Sequence, residues 1–127
     1  VAHRLMAGSD ILLMPSRFEP CGLNQLYAMR YGTVPVAHAT GGLKDTIEDF
    51  NPYAHGKQGA GTGLTFSPAN ADAMKGAVCA AVDTYYKNHD AWKGIMERGM
   101  EQDFSWNHSA EQWEQVFSWA LGDPPYA

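Results

Sequence analysis

The residue types able to do chemistry in this chain crowd into eleven consecutive positions, Ser16-Arg17-Phe18-Glu19-Pro20-Cys21-Gly22-Leu23-Asn24-Gln25-Leu26. One carboxylate, Glu19, precedes a small-residue turn, and from Leu23 the pattern turns helical, with Leu23, Leu26, Tyr27 and Arg30 at i, i+3, i+4 and i+7. A helix start presents backbone N–H groups without intrahelical partners, and its dipole adds positive potential, so a phosphate there is stabilised. Gly22 lets a ligand approach the backbone closely. Pro20 has a fixed φ and keeps the preceding residue extended, so the Glu19 carboxylate is aimed by the backbone. A rigid acid beside an anion site is the chemistry of nucleotide-sugar binding.

Each of these residues also has a plainer explanation. A carboxylate ahead of a helix complements the macrodipole by roughly 0.3 kcal/mol or more without touching a ligand. Cys21 at a helix start could be an activated nucleophile, but no general base stands beside it in sequence; the simpler role is a small residue offering its backbone N–H to a ligand. Arg17 could pair with phosphate or with a surface carboxylate such as Glu19, and spacing alone leaves both open.

The elements that must position this loop are legible from hydrophobic pattern. An apolar strand over residues 11–14 leads into the loop at 16–22, a helix follows over 23–31, and a second strand occupies 34–37. The β-loop-α-β order predicts a parallel sheet with crossover helices, an α/β fold. Thr40-Gly41-Gly42-Leu43 forms a second glycine turn, leading into a short helical stretch over 44–48. Ligand loops in such sheets lie at the strand C-terminal ends, so both turns should open on one edge and share one ligand.

Residues 49–63 read as a solvated loop without regular structure. Its glycine-rich part, Gly56 to Gly63, lacks G-x4-G-K-[ST] and leads into a strand rather than a helix, so it is not read as a phosphate loop. A third strand covers 64–66, and Asn70 is the N-cap of a long helix whose Met74, Val78, Ala81, Val82 and Tyr85 face the core. A further helix spans about 90–100. Ser109 and Gln112 fit a capping box at the start of the last helix, with Ala110, Trp113, Phe117 and Leu121 as its apolar face. The indoles of Trp92, Trp106, Trp113 and Trp119 are expected to fill the core of this helical C-terminal third rather than stack on sugars. Val1 to Gly8 read like the last two turns of a helix closed by Gly8, and the missing initiator Met points to a fragment.

Composition fixes what the chain is not. Its 127 residues are 45% hydrophobic and 18% charged, which suits one globular unit, with no internal repeat and no second domain. A formal charge of −5 without a basic run argues against nucleic acid and against an anionic membrane surface. No apolar run approaches the roughly 18 residues of a membrane span. Cys21 and Cys79 have neither C-x-x-C spacing nor disulfide-scaffold density, which suits a reducing compartment. His3, His38, His55, His89 and His108 are scattered without metal-ligand spacing, so no metal and no cofactor are expected.

The strings Ser16-Arg17-Phe18-Glu19-Pro20-Cys21-Gly22-Leu23, Tyr31-Gly32-Thr33 and Thr40-Gly41-Gly42-Leu43-Lys44-Asp45-Thr46 strongly resemble the starch and bacterial glycogen synthases. Arg98-Gly99-Met100, Gln102-Asp103, Ser105-Trp106 and Ala110-Glu111-Gln112 extend the likeness over nearly the whole chain. Asn51-Pro52-Tyr53-Ala54 and Phe117-Ser118-Trp119-Ala120 are most similar to the soluble starch synthase I group of plants and green algae.

The resemblance implies a GT-B fold, two Rossmann-like domains across a cleft, of which residues 1–127 would be the second half of the C-terminal domain. It implies retaining transfer of glucose from ADP-glucose to the non-reducing end of an α-1,4-glucan, in a plastid, or in the cytoplasm for a bacterial enzyme. Glu19 would be the essential carboxylate at the donor glucose. Cys21 and Gly22 would offer N–H groups to that glucose, Leu23 and Asn24 would cap the phosphates, Arg17 would stand beside them, and Thr40, Gly41 and Gly42 would border the cleft.

Many GT-B relatives carry a second glutamate eight positions after the first, where this chain and the starch synthases do not. Tyr27 stands there, so the ribose must be held elsewhere. The lysine-glycine-glycine donor motif and the basic residues of the family's earlier segments are also not in this chain, so it is expected to need the missing N-terminal domain for turnover. Two rivals remain at this point: a non-catalytic glucan-binding module, and a glucosyltransferase using another nucleotide donor, as the sucrose synthase-like proteins do.

Overall fold

A computed structural model describes residues 1–54 and 59–122. Three strands, β1 (Ile11–Met14), β2 (Val34–His38) and β3 (Leu64–Phe66), form a parallel sheet in the order β1-β2-β3, with Ile11 opposite Val34 and Val36 opposite Leu64. Parallel neighbours need crossovers. α2 (Asn24–Arg30) supplies the first, and α3 (Gly41–Thr46) with the loop after it supplies the second. α1 (Ala2–Ala7) precedes the sheet, and α4 (Ala71–Lys87), α5 (His89–Glu101) and α6 (Trp106–Gly122) follow it. The α/β arrangement with a helical last third is the expected one.

Side-chain alternation along β2 gives the sheet two covered faces. Val34 and Val36 pack with Leu64, Phe66, Ala81, Trp92 and Ile95 in a cluster closed by α4 and α5. Ala37 packs with Met14, Leu43 and Ile47 beside α3. Asn70 caps α4 as expected, its side chain accepting from the Ala73 N–H at 2.8 Å. Tyr31, Gly32 and Thr33 end α2 in a Schellman motif: Gly32 takes φ 78°, its N–H reaches Met29 O, and the Thr33 N–H reaches Ala28 O.

Several expectations need correction. The buried face of α2 is Gln25, Ala28 and Met29, whereas Leu23 and Tyr27 of the expected stripe are exposed. The helix is two turns long, so the elements packed on it decide its inner face more than hydropathy does. On α4, Ala73 and Ala77 join the core with Met74, Val78, Ala81 and Tyr85, while Val82 turns outward. α3 begins at the second glycine turn itself rather than after it.

Gly8 follows α1 at φ −99°, outside the left-handed region, so it closes the helix without a glycine-specific cap. The segment after α3 is not structureless. Isolated bridges join Asp49 to Gly63 and Asn51 to Ala60, Asp49 Oδ1 accepts from the Thr65 N–H at 2.6 Å, and Phe50 packs on the core. Gly56, Lys57 and Gln58 of the glycine-rich stretch lie outside the described residues.

The last helix starts three residues before the expected capping box. Ser105, not Ser109, stands at its cap, with its hydroxyl accepting from the His108 N–H at 3.4 Å. No residue of α6 is buried; Trp106, Trp113 and Trp119 are 84%, 57% and 65% exposed. Among the four tryptophans only Trp92 fills the core.

Candidate functional site

The two glycine turns meet at the C-terminal edge of the sheet, as the β-loop-α order requires. The loop after β1 and the start of α3 touch backbone to backbone: the Gly42 N–H donates to Glu19 O at 3.0 Å and to Pro20 O at 3.2 Å. A Cβ on Gly41 would overlap Glu19 O, and one on Gly42 would overlap Cys21 O, so the close approach requires glycine at both positions. His38, at the end of β2, ties down the loop's beginning. Its Nδ1 lies 2.8 Å from Ser16 O, and since a carbonyl only accepts, Nδ1 carries the hydrogen.

Within this frame the backbone N–H groups of Cys21, Gly22, Leu23 and Asn24, and that of Gly41, have no hydrogen-bond partner among the described residues. Neither Leu23 nor Thr40 closes its helix with a side-chain cap. Two neighbouring helix starts therefore present unpaired donors beside Glu19, whose half-buried side chain makes no hydrogen bond or ion pair among the described residues. Unpaired donors beside a free carboxylate can receive an anion and a polyhydroxyl group at once.

The expected residues divide by their place here. Glu19, Cys21, Gly22, Leu23 and Asn24 lie on one loop and helix start, with Thr40 and Gly41 facing them. Gly42 belongs to the site through backbone packing, because its N–H is already engaged and it is buried. Arg17 is exposed and makes no ion pair with Glu19; it borders a shallow groove with Pro15, Phe66 and Met74. Cys21 is an exposed free thiol whose carbonyl is held from within. Among the described residues no group of three His, Cys, Asp or Glu could hold a metal ion, and no helix is long and apolar enough to cross a membrane.

Sequence reasoning missed the residue that holds the loop from below. Gln25 is fully buried, and its Nε2 donates to Cys21 O at 3.0 Å, Gly22 O at 3.1 Å and Thr46 Oγ1 at 3.2 Å. Two backbone carbonyls among these acceptors fix the amide orientation, since a reversed amide would point oxygen at oxygen. Thr46 in turn donates to Gly42 O at 2.5 Å. The remaining Gln25 Oε1 is buried without a partner, a burden of about 1–3 kcal/mol. A lone amide one position from an apolar helix face was the only signal in sequence.

Comparison with known proteins places the chain. The family model described as Glycosyl transferases group 1 matches residues 2–94. Soluble starch synthase 1 of Solanum tuberosum is 60% identical over 126 residues, covering 99% of this chain and 20% of that protein. Starch synthase 1 of Arabidopsis thaliana is likewise 60% identical over 126 residues, covering 99% and 19%. The chain thus spans about one fifth of the length of the curated relatives it matches.

Among solved structures, the catalytic domain of starch synthase IV from Arabidopsis thaliana, bound to ADP and acarbose, superposes with a TM-score of 0.80 at 38% identity, over 96% of this chain and 24% of that one. Sucrose-phosphate synthase from Thermosynechococcus elongatus gives a TM-score of 0.61 at 27% identity, over 93% of this chain and 27% of that one. The resemblance carried by residues 16–23 and 40–46 is borne out.

Proposed function

The chain belongs to the group 1 glycosyl transferases, with the α/β architecture of a GT-B domain, and on that premise we propose that it is the second half of the C-terminal domain of a retaining starch synthase. The intact enzyme transfers glucose from ADP-glucose to the non-reducing end of an α-1,4-glucan. The observation that carries this reading is the row of unpaired N–H groups at Cys21, Gly22, Leu23 and Asn24 beside the free carboxylate of Glu19.

In that role the helix-start amides of Leu23 and Asn24 take the donor phosphates, and those of Cys21 and Gly22 take glucose oxygens. As the bond from the anomeric carbon to the diphosphate lengthens, positive charge develops on the sugar and negative charge on the leaving group. Glu19 answers the first and the amides the second, which is stabilisation specific to the transition state. The starch synthase IV relative was solved with ADP and acarbose, a nucleotide and a glucan-like inhibitor, which supports a site for both donor and acceptor. The two starch synthase 1 relatives reported above carry chloroplastic/amyloplastic names, which supports a plastid location.

The test is transfer of labelled glucose to a maltooligosaccharide by the intact protein. The reading expects transfer from ADP-glucose with an α-linked product. Faster transfer from another nucleotide-glucose, or tight binding of the glucan by calorimetry without any transfer, would replace it with one of the two rival readings.

A further inference from the structure

We propose that Gln25 and Thr46 are positioning residues for Glu19, acting through a ring of hydrogen bonds that fixes the backbone of residues 19–22 against α3; the proposal rests on the donor-site reading above. The Glu19 carboxylate has no side-chain partner of its own among the described residues, so its direction is set by the backbone that carries it. That backbone is held at one point by the Gly42 N–H, which donates to Glu19 O and Pro20 O. It is held at the next by Gln25 Nε2, which donates to Cys21 O and Gly22 O.

The two points are joined from beneath. Gln25 Nε2 also donates to Thr46 Oγ1, and Thr46 donates to Gly42 O, the far side of the same residue that grips Glu19 O. The ring therefore runs from Gln25 through Thr46 and Gly42 to Glu19, and back through Cys21 and Gly22. Gln25, Thr46 and Gly42 are each held by more than one bond of the ring, while Cys21 and Gly22 are held at their carbonyls and keep their N–H groups free for the site.

Two further observations separate this from ordinary packing. Gln25 is fully buried and leaves Oε1 without a partner, where an apolar side chain of the same length would fill the space without that burden. A Cβ on Gly22 would sit 2.6 Å from that same Oε1, so the amide is pressed directly under the turn whose N–H groups face the site. A buried amide that donates to two carbonyls of the loop and to the Thr46 hydroxyl of α3 serves the geometry of that loop, and small displacements there are expensive in rate.

The experiment compares Thr46→Val, Thr46→Ser, Gln25→Met and Glu19→Gln in the intact enzyme, with rates normalised to folded protein by thermal unfolding. Thr46→Val keeps the shape and removes the hydroxyl; Thr46→Ser restores the hydroxyl without the methyl. The proposal expects kcat to fall about tenfold in Thr46→Val and in Gln25→Met, with the ADP-glucose KM moving less than about threefold, and Thr46→Ser to recover most of the rate. A rate in folded Thr46→Val within about twofold of the parent overturns it, whether or not Gln25→Met folds. A Thr46→Ser rate as low as that of Thr46→Val also overturns it. When Glu19→Gln is itself impaired, those results remove the positioning role alone; a Glu19→Gln enzyme of normal rate removes the donor-site reading and this proposal together.

Discussion

The short helix α2 and the long helix α6 are opposite cases in one chain. α2 spans residues 24–30 and buries a glutamine completely, whereas α6 spans 106–122, carries three tryptophans, and buries nothing. The sequence pattern suggested otherwise, with an apolar face on α6 and no sign that Gln25 of α2 is buried. What separates them is the neighbourhood. α2 is clasped between β2, α3 and α5, so its inner residues are chosen by contact, and an amide with three acceptors beneath it is at home there. α6 has a usable apolar face that no element among the described residues buries.

That contrast can be tested from its strongest consequence to its weakest. Truncating Trp92 to Ala removes an indole packed among Val34, Val36 and Ile95, and should lower unfolding free energy by about 3–5 kcal/mol in a denaturant titration. The α4 cap is a smaller contribution: Asn70→Ala should cost about 1 kcal/mol by the same titration, because the Ala73 N–H loses its acceptor. On the uncovered helix, Trp113→Ala should change stability by less than about 0.5 kcal/mol. A loss there comparable to that of Trp92 would mean that α6 is packed, and the contrast would fail.

The weakest effect belongs to the turn that enters α6. The backbone N–H and the hydroxyl of Ser105 hold the Asp103 carboxyl below the ordinary aspartate range. Since the folded value is depressed, the turn's contribution is present above the unfolded value and lost as pH falls through the folded one. The Ser105 amide resonance, followed by NMR during acid titration, should therefore move at a pH below that of an ordinary aspartate, and Asp103→Asn should abolish the movement.

The strands, the Asn70 cap and the loop carrying Glu19 were legible in sequence because each is set by local chemistry: apolar runs, an Asx cap, a glycine beside a proline. The meeting of the two glycine turns was legible too, since strand C-terminal ends share one edge of a parallel sheet. Gln25, Thr46 and His38 were not, because their partners lie 4, 21 and 22 positions away and a polar residue advertises no particular acceptor. The exposure of Trp113 and Trp119 was illegible for the converse reason, since a helical period says which face can be buried and nothing about what covers it.

The central claim is that residues 19–24 hold the donor sugar and its phosphates and that Glu19 answers charge in the transition state. Steady-state kinetics of Glu19→Gln in the intact enzyme tests it most directly. The account predicts a fall in kcat of about 10²–10³ with the ADP-glucose KM changed by less than about threefold. A near-normal kcat, or a loss confined to KM, would contradict it.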